Sequence, residues 1–396
     1  MEIKNKIKEL TKDIYSDVVS YRRQIHQNPE LAFEENETAA FIASKLKEFN
    51  IPFTTGVAKT GIIALLEGKN PTKKVVGLRA DMDALPIHEA NDVPYRSKND
   101  GKMHACGHDV HTSSLLGVAR VLSEIRDEFE GTVKFFFQPS EEKFPGGASV
   151  MIEEGALENP KPDVVLAQHV FTDLDAGMTG FKSGVYMASA DEVYITVKGK
   201  GGHAAMPHEN IDPILIASHI IVSLQQIISR NANITTPSVL SFGKLTAEGA
   251  TNVIPDEVKI EGTFRTFDEV WRKDAHKKIK NMAEQIAKSM GGECDVNVKV
   301  GYPCLVNHED LTNDCMTEAI NYLGKEHVEE IPIRMTSEDF SYFSQAADVC
   351  FYRLGVRNES RGITSPVHSP SFDIDEAALE TGVGLMSWLT IRLLKS

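Results

Sequence analysis

The stretch His104-Ala105-Cys106-Gly107-His108-Asp109-Val110-His111 crowds a thiol, three imidazoles and a carboxylate into a few residues. Further on, Gln138-Pro139-Ser140-Glu141-Glu142 carries adjacent carboxylates, and Gln168-His169 and Val367-His368-Ser369-Pro370 each add a histidine. Thiolate, imidazole and carboxylate donors together suit a borderline cation such as zinc, with manganese, nickel or cobalt tolerated where oxygen and nitrogen dominate. The adjacent glutamates exceed what a structural site requires: one can bridge two cations while its neighbour, unligated, acts as general base on the attacking water. Two cations about 3.5–4 Å apart can clamp both oxygens of a hydrolytic displacement. The chemistry suggested is metal-assisted hydrolysis.

The His104–His111 cluster lies just before a helical pattern, and the other segments lie past apolar runs. Arg79-Ala80-Asp81-Met82-Asp83 closes the run from Val75 to Ala80, the paired glutamates follow Thr132 to Phe137, His169 follows Val164 to Ala167, and His368 lies beyond a strand expected around Val349 to Leu354. In open α/β sheets, ligands gather at the carboxyl ends of the strands, so these are the places where a site is expected. Ile62 to Leu66 adds another apolar run, and a helical pattern spans about Val110 to Ile125. The alternation predicts an α/β catalytic domain with a mixed, largely parallel sheet. Ahead of it, apolar residues at Ile3, Ile7, Leu10, Ile14, Val18, Tyr21 and Ile25 recur at three-and-four spacing and predict one opening helix stopped by Asn28-Pro29.

Between about 185 and 298 the rhythm changes to β-α-β-β-α-β: Val193 to Val197, a helix from Pro213 to about Ile228, Val239 to Phe242, Val258 to Phe264, a helix over about Glu269 to Met290, and Val296 to Val300. That order is ferredoxin-like. Asp212 is placed to cap the first of these helices, with Pro213 at its first position. A helix from about Glu376 to Leu394 closes the chain. The expected organisation is a catalytic domain made of 1–184 and 299–396, with an α+β unit of 185–298 inserted.

At 396 residues the chain is too long for a single ordinary core, and 41% hydrophobic with 25% charged residues is the composition of a folded chain. A net charge of −15, with no block of like charge, argues against nucleic acid or an anionic membrane and for a small-molecule partner. The N-terminal residues lack an apolar signal segment and no run approaches the ~18 apolar residues of a membrane span, so a cytoplasmic protein is expected. Cysteines 106, 294, 304, 315 and 350 are scattered and suit a reducing compartment, and only Cys106 sits among other possible ligands.

Seven segments in order, Arg79-Ala-Asp-Met-Asp-Ala-Leu-Pro86, Met103-His-Ala-Cys-Gly-His-Asp-Val-His111, Gln138-Pro-Ser-Glu-Glu142, Gly201-Gly-His-Ala-Ala-Met-Pro-His208, Thr251-Asn-Val-Ile-Pro255, Ser337-Glu-Asp-Phe-Ser341 and His368-Ser-Pro370, resemble the metallopeptidase-like amidohydrolases. These include the aminoacylases, hippurate hydrolases, indole-acetyl-amino-acid hydrolases and N-acetyldiaminopimelate deacetylases, and the resemblance covers essentially the whole chain. It implies deacylation of N-acyl amino acids by two divalent metal ions per subunit. Cys106, His108, Glu142, His169 and His368 would be the ligands, with Glu142 the bridge, and Glu141 the general base and later proton donor. Asp81 would orient a ligand histidine; the broader superfamily often has a ligand histidine two positions earlier, where Arg79 stands here. The inserted unit would be the lid and homodimer interface. His203 would stabilise the oxyanion in the partner's site, and Asn252 and Arg265 would hold the substrate carboxylate.

Blander readings stand beside these. A lone cysteine is more often a small buried hydrophobe than a ligand, and adjacent glutamates are usually solvated. Asn252 could form an Asx-turn, and His104 and His111 are read as lining the loop. Arg79, Asp83, His208 and Glu338-Asp339 are read as structural or as supports for the metal-binding side chains, with no catalytic part, and the other four cysteines as packing residues. Two rival functions remain: an amidohydrolase using Cys106 as nucleophile, which would survive chelators, and a non-catalytic metal- or carboxylate-binding module, against which the presence of Glu141 speaks.

Overall fold

The computed structural model describes residues 2–395. They form two compact units: one contains the residues up to Gly184, Val306–Pro332 and those from Tyr342 onward; the other contains Val185–Leu305 and Ile333–Ser341. The sequence reading gave 299–305 and 333–341 to the catalytic part, and the structure puts them in the inserted unit. Backbone pairing is the reason. The strand Glu293–Val300 runs beside Asp191–Lys198 to its last residue, while Ala188 N–H is shared between Arg334 O and Thr336 O.

The first unit is built on an eight-stranded sheet, in the order Phe53–Val57, Gly61–Glu67, Thr132–Gln138, Val75–Asp81, Val164–Asp175, Asp348–Arg357, Thr179–Phe181, Val328–Glu330. The four strands from Thr132–Gln138 to Asp348–Arg357 run mutually parallel, and antiparallel strands extend the sheet. Thr132–Gln138 is buried at every position, Lys134 included, which is why apolar residues dominate it. Burying each of Phe135, Phe136 and Phe137 contributes about 1.5–3 kcal/mol. Pro139 ends the strand because it has no N–H to offer the ladder.

Two helices, Glu2–Asp13 and Tyr15–Gln27, occupy the stretch expected to be one. The periodicity continues across the break because Ile14, itself buried, keeps the same face inward. The second of them packs on the helix His108–Glu124, as does the closing helix Ala378–Lys395. A buried cation ties these elements together. Arg22, with no exposed side-chain surface, donates to Asp109 Oδ2 (2.8 Å), Asp373 Oδ1 (2.8 Å) and Glu376 Oε1 (3.4 Å). Removing one member of a buried pair leaves the other charge uncompensated, at a cost of about 3–5 kcal/mol. An Arg22→Leu variant is therefore expected to unfold at a markedly lower urea midpoint, and an unchanged midpoint would show that His26, also bonded to Asp109, suffices.

In the second unit the sheet order is Ser238–Thr246, Glu257–Thr266, Asp191–Lys198, Glu293–Val300, all antiparallel, the arrangement of a ferredoxin-like fold. Its helices cover one face. Asp212 Oδ1 accepts from Ile214 N (2.8 Å) and Leu215 N (3.2 Å), and Asp268 caps Glu269–Ser289 in the same way. The segment Pro213–Asn231 is long and apolar enough, by length and composition, to cross a membrane, which the search for apolar runs in the sequence did not reveal. Its inner residues Ile216, Ile220 and Leu224 join the core of this unit, while Leu215 and Val222 face outward.

Candidate metal centre

Gly107 starts the assembly of the site. Its φ of +83° turns the chain from Cys106 into the helix at His108, and a β-carbon there would lie 2.6 Å from Val170 Cγ2, so only glycine fits. Around it, Cys106, His108 and His169 bring their ligand atoms within 4.8 Å of one another, and so do Cys106, Glu142 and His368. His108, Glu141 and Glu142 form a third such set. All six residues belong to the first unit.

The protonation pattern of the histidines is fixed by their partners. His108 Nδ1 faces only acceptors, Asp83 O at 2.8 Å and Asp83 Oδ1 at 3.2 Å, so it carries a hydrogen and aims Nε2 inward. That Nε2 is buried with no hydrogen-bond partner. His169 Nδ1 donates to Val170 O (2.8 Å), which leaves its Nε2 lone pair 3.5 Å from Cys106 Sγ. Glu142 Oε1 is buried too and makes no hydrogen bond of acceptable geometry, although His368 Nε2 stands 3.1 Å away. Donors that converge on a shared centre, with His108 Nε2 and Glu142 Oε1 left without hydrogen bonds, are what a bound cation requires, since an orphaned buried polar atom is otherwise costly. The donor set fits two divalent ions.

His111 is different. Val170 N–H donates to its Nε2 (2.9 Å) and its Nδ1 donates to Asp81 Oδ1 (2.5 Å), so no lone pair is left for a metal. His104 is also buried, and burial lowers its pKa to about 3, which makes it a neutral wall of the site.

It is Asp83 rather than Asp81 that bonds His108. Asp81 was expected to orient a ligand histidine, but its carboxylate bonds His111 and Arg79 Nη1 (2.5 Å) and stands 3.8 Å from His108 Nε2. Burial alone would raise its pKa; Arg79, His108 and His111 overcome that and hold the carboxyl well below its ordinary range. Asp83, read as structural or as a support, makes the bonds to His108. It also accepts the backbone N–H groups of Glu141 and Glu142 (2.9 Å each). The strand ends at Asp81, so the side-chain alternation that would place the two acids alike no longer applies.

In the metal-free state, burial and then the Glu142 carboxylate push the Cys106 thiol above its ordinary pKa. The nearby Cys106 and then Glu142 push His368 up to about 10. Burial, then Arg353, holds His169 well below its ordinary value, as a neutral imidazole. A thiol with a raised pKa is a poor nucleophile, which weighs against Cys106 attacking a carbonyl directly.

Residues 77–390 match the profile of the Peptidase family M20/M25/M40. The chain belongs to that family. It is a metal-dependent hydrolase of the M20 family. It is 41% identical to an N-acyl-L-amino acid amidohydrolase of Geobacillus stearothermophilus, over 78% of this chain and 82% of that one. It is 39% identical to the N-acetyl-L-cysteine deacetylase of Bacillus subtilis, over 91% and 84%. Among solved structures, the Bacillus subtilis YXEP protein, described as a dinuclear metal-binding peptidase, superposes with a TM-score of 0.84 at 34% identity, covering 97% of this chain and 99% of that one.

The remaining sequence candidates lie in the second unit. The short strand Gly202–His203 pairs with Val253–Ile254, and Asn252 O accepts from Ala204 N (3.0 Å), so His203 and Asn252 are neighbours. Ala205 N–H donates to His203 Nδ1 (3.1 Å), which puts the imidazole hydrogen on the exposed Nε2. Arg265 is half-buried and donates to Met335 O (3.2 Å) and Ser337 Oγ (3.3 Å).

Proposed function

We propose that this M20-family hydrolase deacylates N-acyl amino acids, with Cys106, His108, Glu142, His169 and His368 holding two divalent cations and Glu141 moving the proton. The observation that carries the reading is the set of converging donors around Cys106, buried except for Glu142 and the more exposed His368, two of them without hydrogen bonds, with a further carboxylate beside them. Cys106 and Glu142 each belong to two of the three sets, so both would stand where the two cations meet. When bound, such ions polarise the amide carbonyl and lower the pKa of the attacking water.

Glu141 is buried and held by its backbone, so its carboxylate can take the proton of the attacking water and return it to the leaving amine. His203, whose exposed Nε2 is a donor, suits an oxyanion, and the Arg265 fork suits a substrate carboxylate. The relatives named for N-acyl-L-amino acid and N-acetyl-L-cysteine substrates support this class of amide. Zinc or manganese fits the mixed sulfur, nitrogen and oxygen donors. A cytoplasmic homodimer completes the reading, supported by the outward apolar side chains of Leu215 and Val222.

The test uses protons as well as turnover. With both pKa values raised, Cys106 and His368 hold protons at neutral pH and must lose them to become ligands. Metal affinity of the stripped protein should therefore climb between about pH 6.5 and 8.5, by about tenfold per pH unit for each proton displaced. Calorimetric titration in buffers of different ionisation enthalpy counts those protons. Amine release from a panel of N-acyl amino acids should return only on reloading. Full activity in stripped protein, or an affinity indifferent to pH, would overturn the assignment.

A further inference from the structure

Two buried carboxylates hold the turn that bears Glu141 and Glu142, and they come from distant parts of the chain. Asp83 accepts the N–H groups of Glu141 and Glu142. The preceding N–H, that of Ser140, goes to Glu35 Oε1 (2.8 Å). Glu35 is wholly buried; the same oxygen accepts Phe33 N–H (3.0 Å) and its other oxygen accepts Thr60 Oγ1–H (2.6 Å). Ser140 sits at a φ of +52°, a conformation that a residue with a β-carbon keeps when its surroundings enforce it. The segment carrying Glu35 is anchored beside Asp83 as well: Glu30 O accepts Ala84 N–H (2.8 Å), and Leu31 forms a parallel bridge with Ala84.

We propose that Glu35 is a positioning residue for the proposed hydrolysis: through Ser140 it sets the turn that aims Glu141 and Glu142, so that one N-terminal segment braces both strand exits of the site. The inference rests on the functional reading above, and neither the family match, which begins at residue 77, nor any sequence motif assigns Glu35 a part. Its work depends on reach, because the carboxylate must touch Ser140 N while Phe33 and Thr60 hold it. Charge matters less: a carboxamide of the same length still offers an acceptor to Ser140 N–H, and burial already pushes the Glu35 carboxyl above its ordinary pKa.

The test compares full-length wild type, Glu35→Asp, which keeps the charge and shortens the reach, and Glu35→Gln, which keeps the reach. Each is titrated with Co2+, followed by the visible absorption of the cobalt–thiolate chromophore, and then assayed metal-loaded on N-acetyl-L-methionine, well below its melting temperature. E35D is expected to bind Co2+ about tenfold more weakly and to lose about tenfold in kcat, with KM within about twofold. E35Q should recover both to within about threefold. A lowered melting temperature in E35D with cobalt affinity and kcat intact would reduce Glu35 to a structural role and overturn the proposal. Should wild type release no amine, the hydrolase reading falls, and the cobalt titration still decides: equal affinity in all three proteins overturns the positioning role, and weak binding in E35D alone supports it.

Discussion

Glu141→Gln is expected to lower kcat roughly a thousandfold while leaving the metal content of the protein unchanged, a loss of about 4 kcal/mol in transition-state stabilisation. The substitution is nearly isosteric, and the N–H of residue 141 keeps its bond to Asp83 because that bond belongs to the backbone. What disappears is a base. A carboxamide cannot take the proton of the attacking water or return it to the amine. Glu141 also lies within ligand distance of the His108 and Glu142 donors, so the variant separates two roles. Metal analysis beside steady-state kinetics settles which applies: activity lost with metal retained identifies a base, activity and metal lost together identify a ligand, and retained activity removes Glu141 from the mechanism.

The second large effect is expected at a residue that touches no substrate. Asp83→Asn should weaken metal binding by about 10–100-fold, the range seen when partners of metal ligands are removed. The Asp83 carboxylate accepts from His108 Nδ1 and from two backbone amides. Asparagine keeps one acceptor and turns an NH2 group toward a donor, leaving a buried N–H unsatisfied at about 1–3 kcal/mol. Calorimetry with Mn2+ or Zn2+ on stripped protein reads the affinity directly. An unchanged value would mean that the Asp83 carbonyl, which also accepts from His108 Nδ1, orients the ring alone.

The parts of the site that were legible in the sequence are those whose chemistry is local. Cys106 and His108 stand two residues apart at the start of a helical pattern, and Glu141 and Glu142 are adjacent just past an apolar run that the strand pattern marks. The buried parallel strands announced themselves because burial on both faces admits few polar residues. What stayed hidden depends on direction or distance. Asp81 and Asp83 look equivalent in the sequence, and which one reaches His108 is decided by where the strand stops. Glu35 meets Ser140 across 105 residues, with no periodicity or spacing to link them. The same reason explains 333–341, whose membership in the second unit rests on backbone bonds to Tyr186 and Ala188.

The parallel strand Asp348–Arg357 lies inside the large sheet, between Val164–Asp175 and Thr179–Phe181, rather than at its edge. During synthesis the ribosome delivers it after those neighbours, and His368 emerges later still. A nascent chain that already displays Cys106, His108, Glu142 and His169 therefore holds an open slot in its sheet until Asp348–Arg357 is made, and lacks the last residue of the proposed ligand set until translation has passed residue 368. On the proposed ligand set, hydrolytic competence and completion of the fold are timed to the same late stretch of chain, and a sheet that waits for Asp348–Arg357 exposes unpaired strand edges in the interval, the kind of surface that chaperones engage.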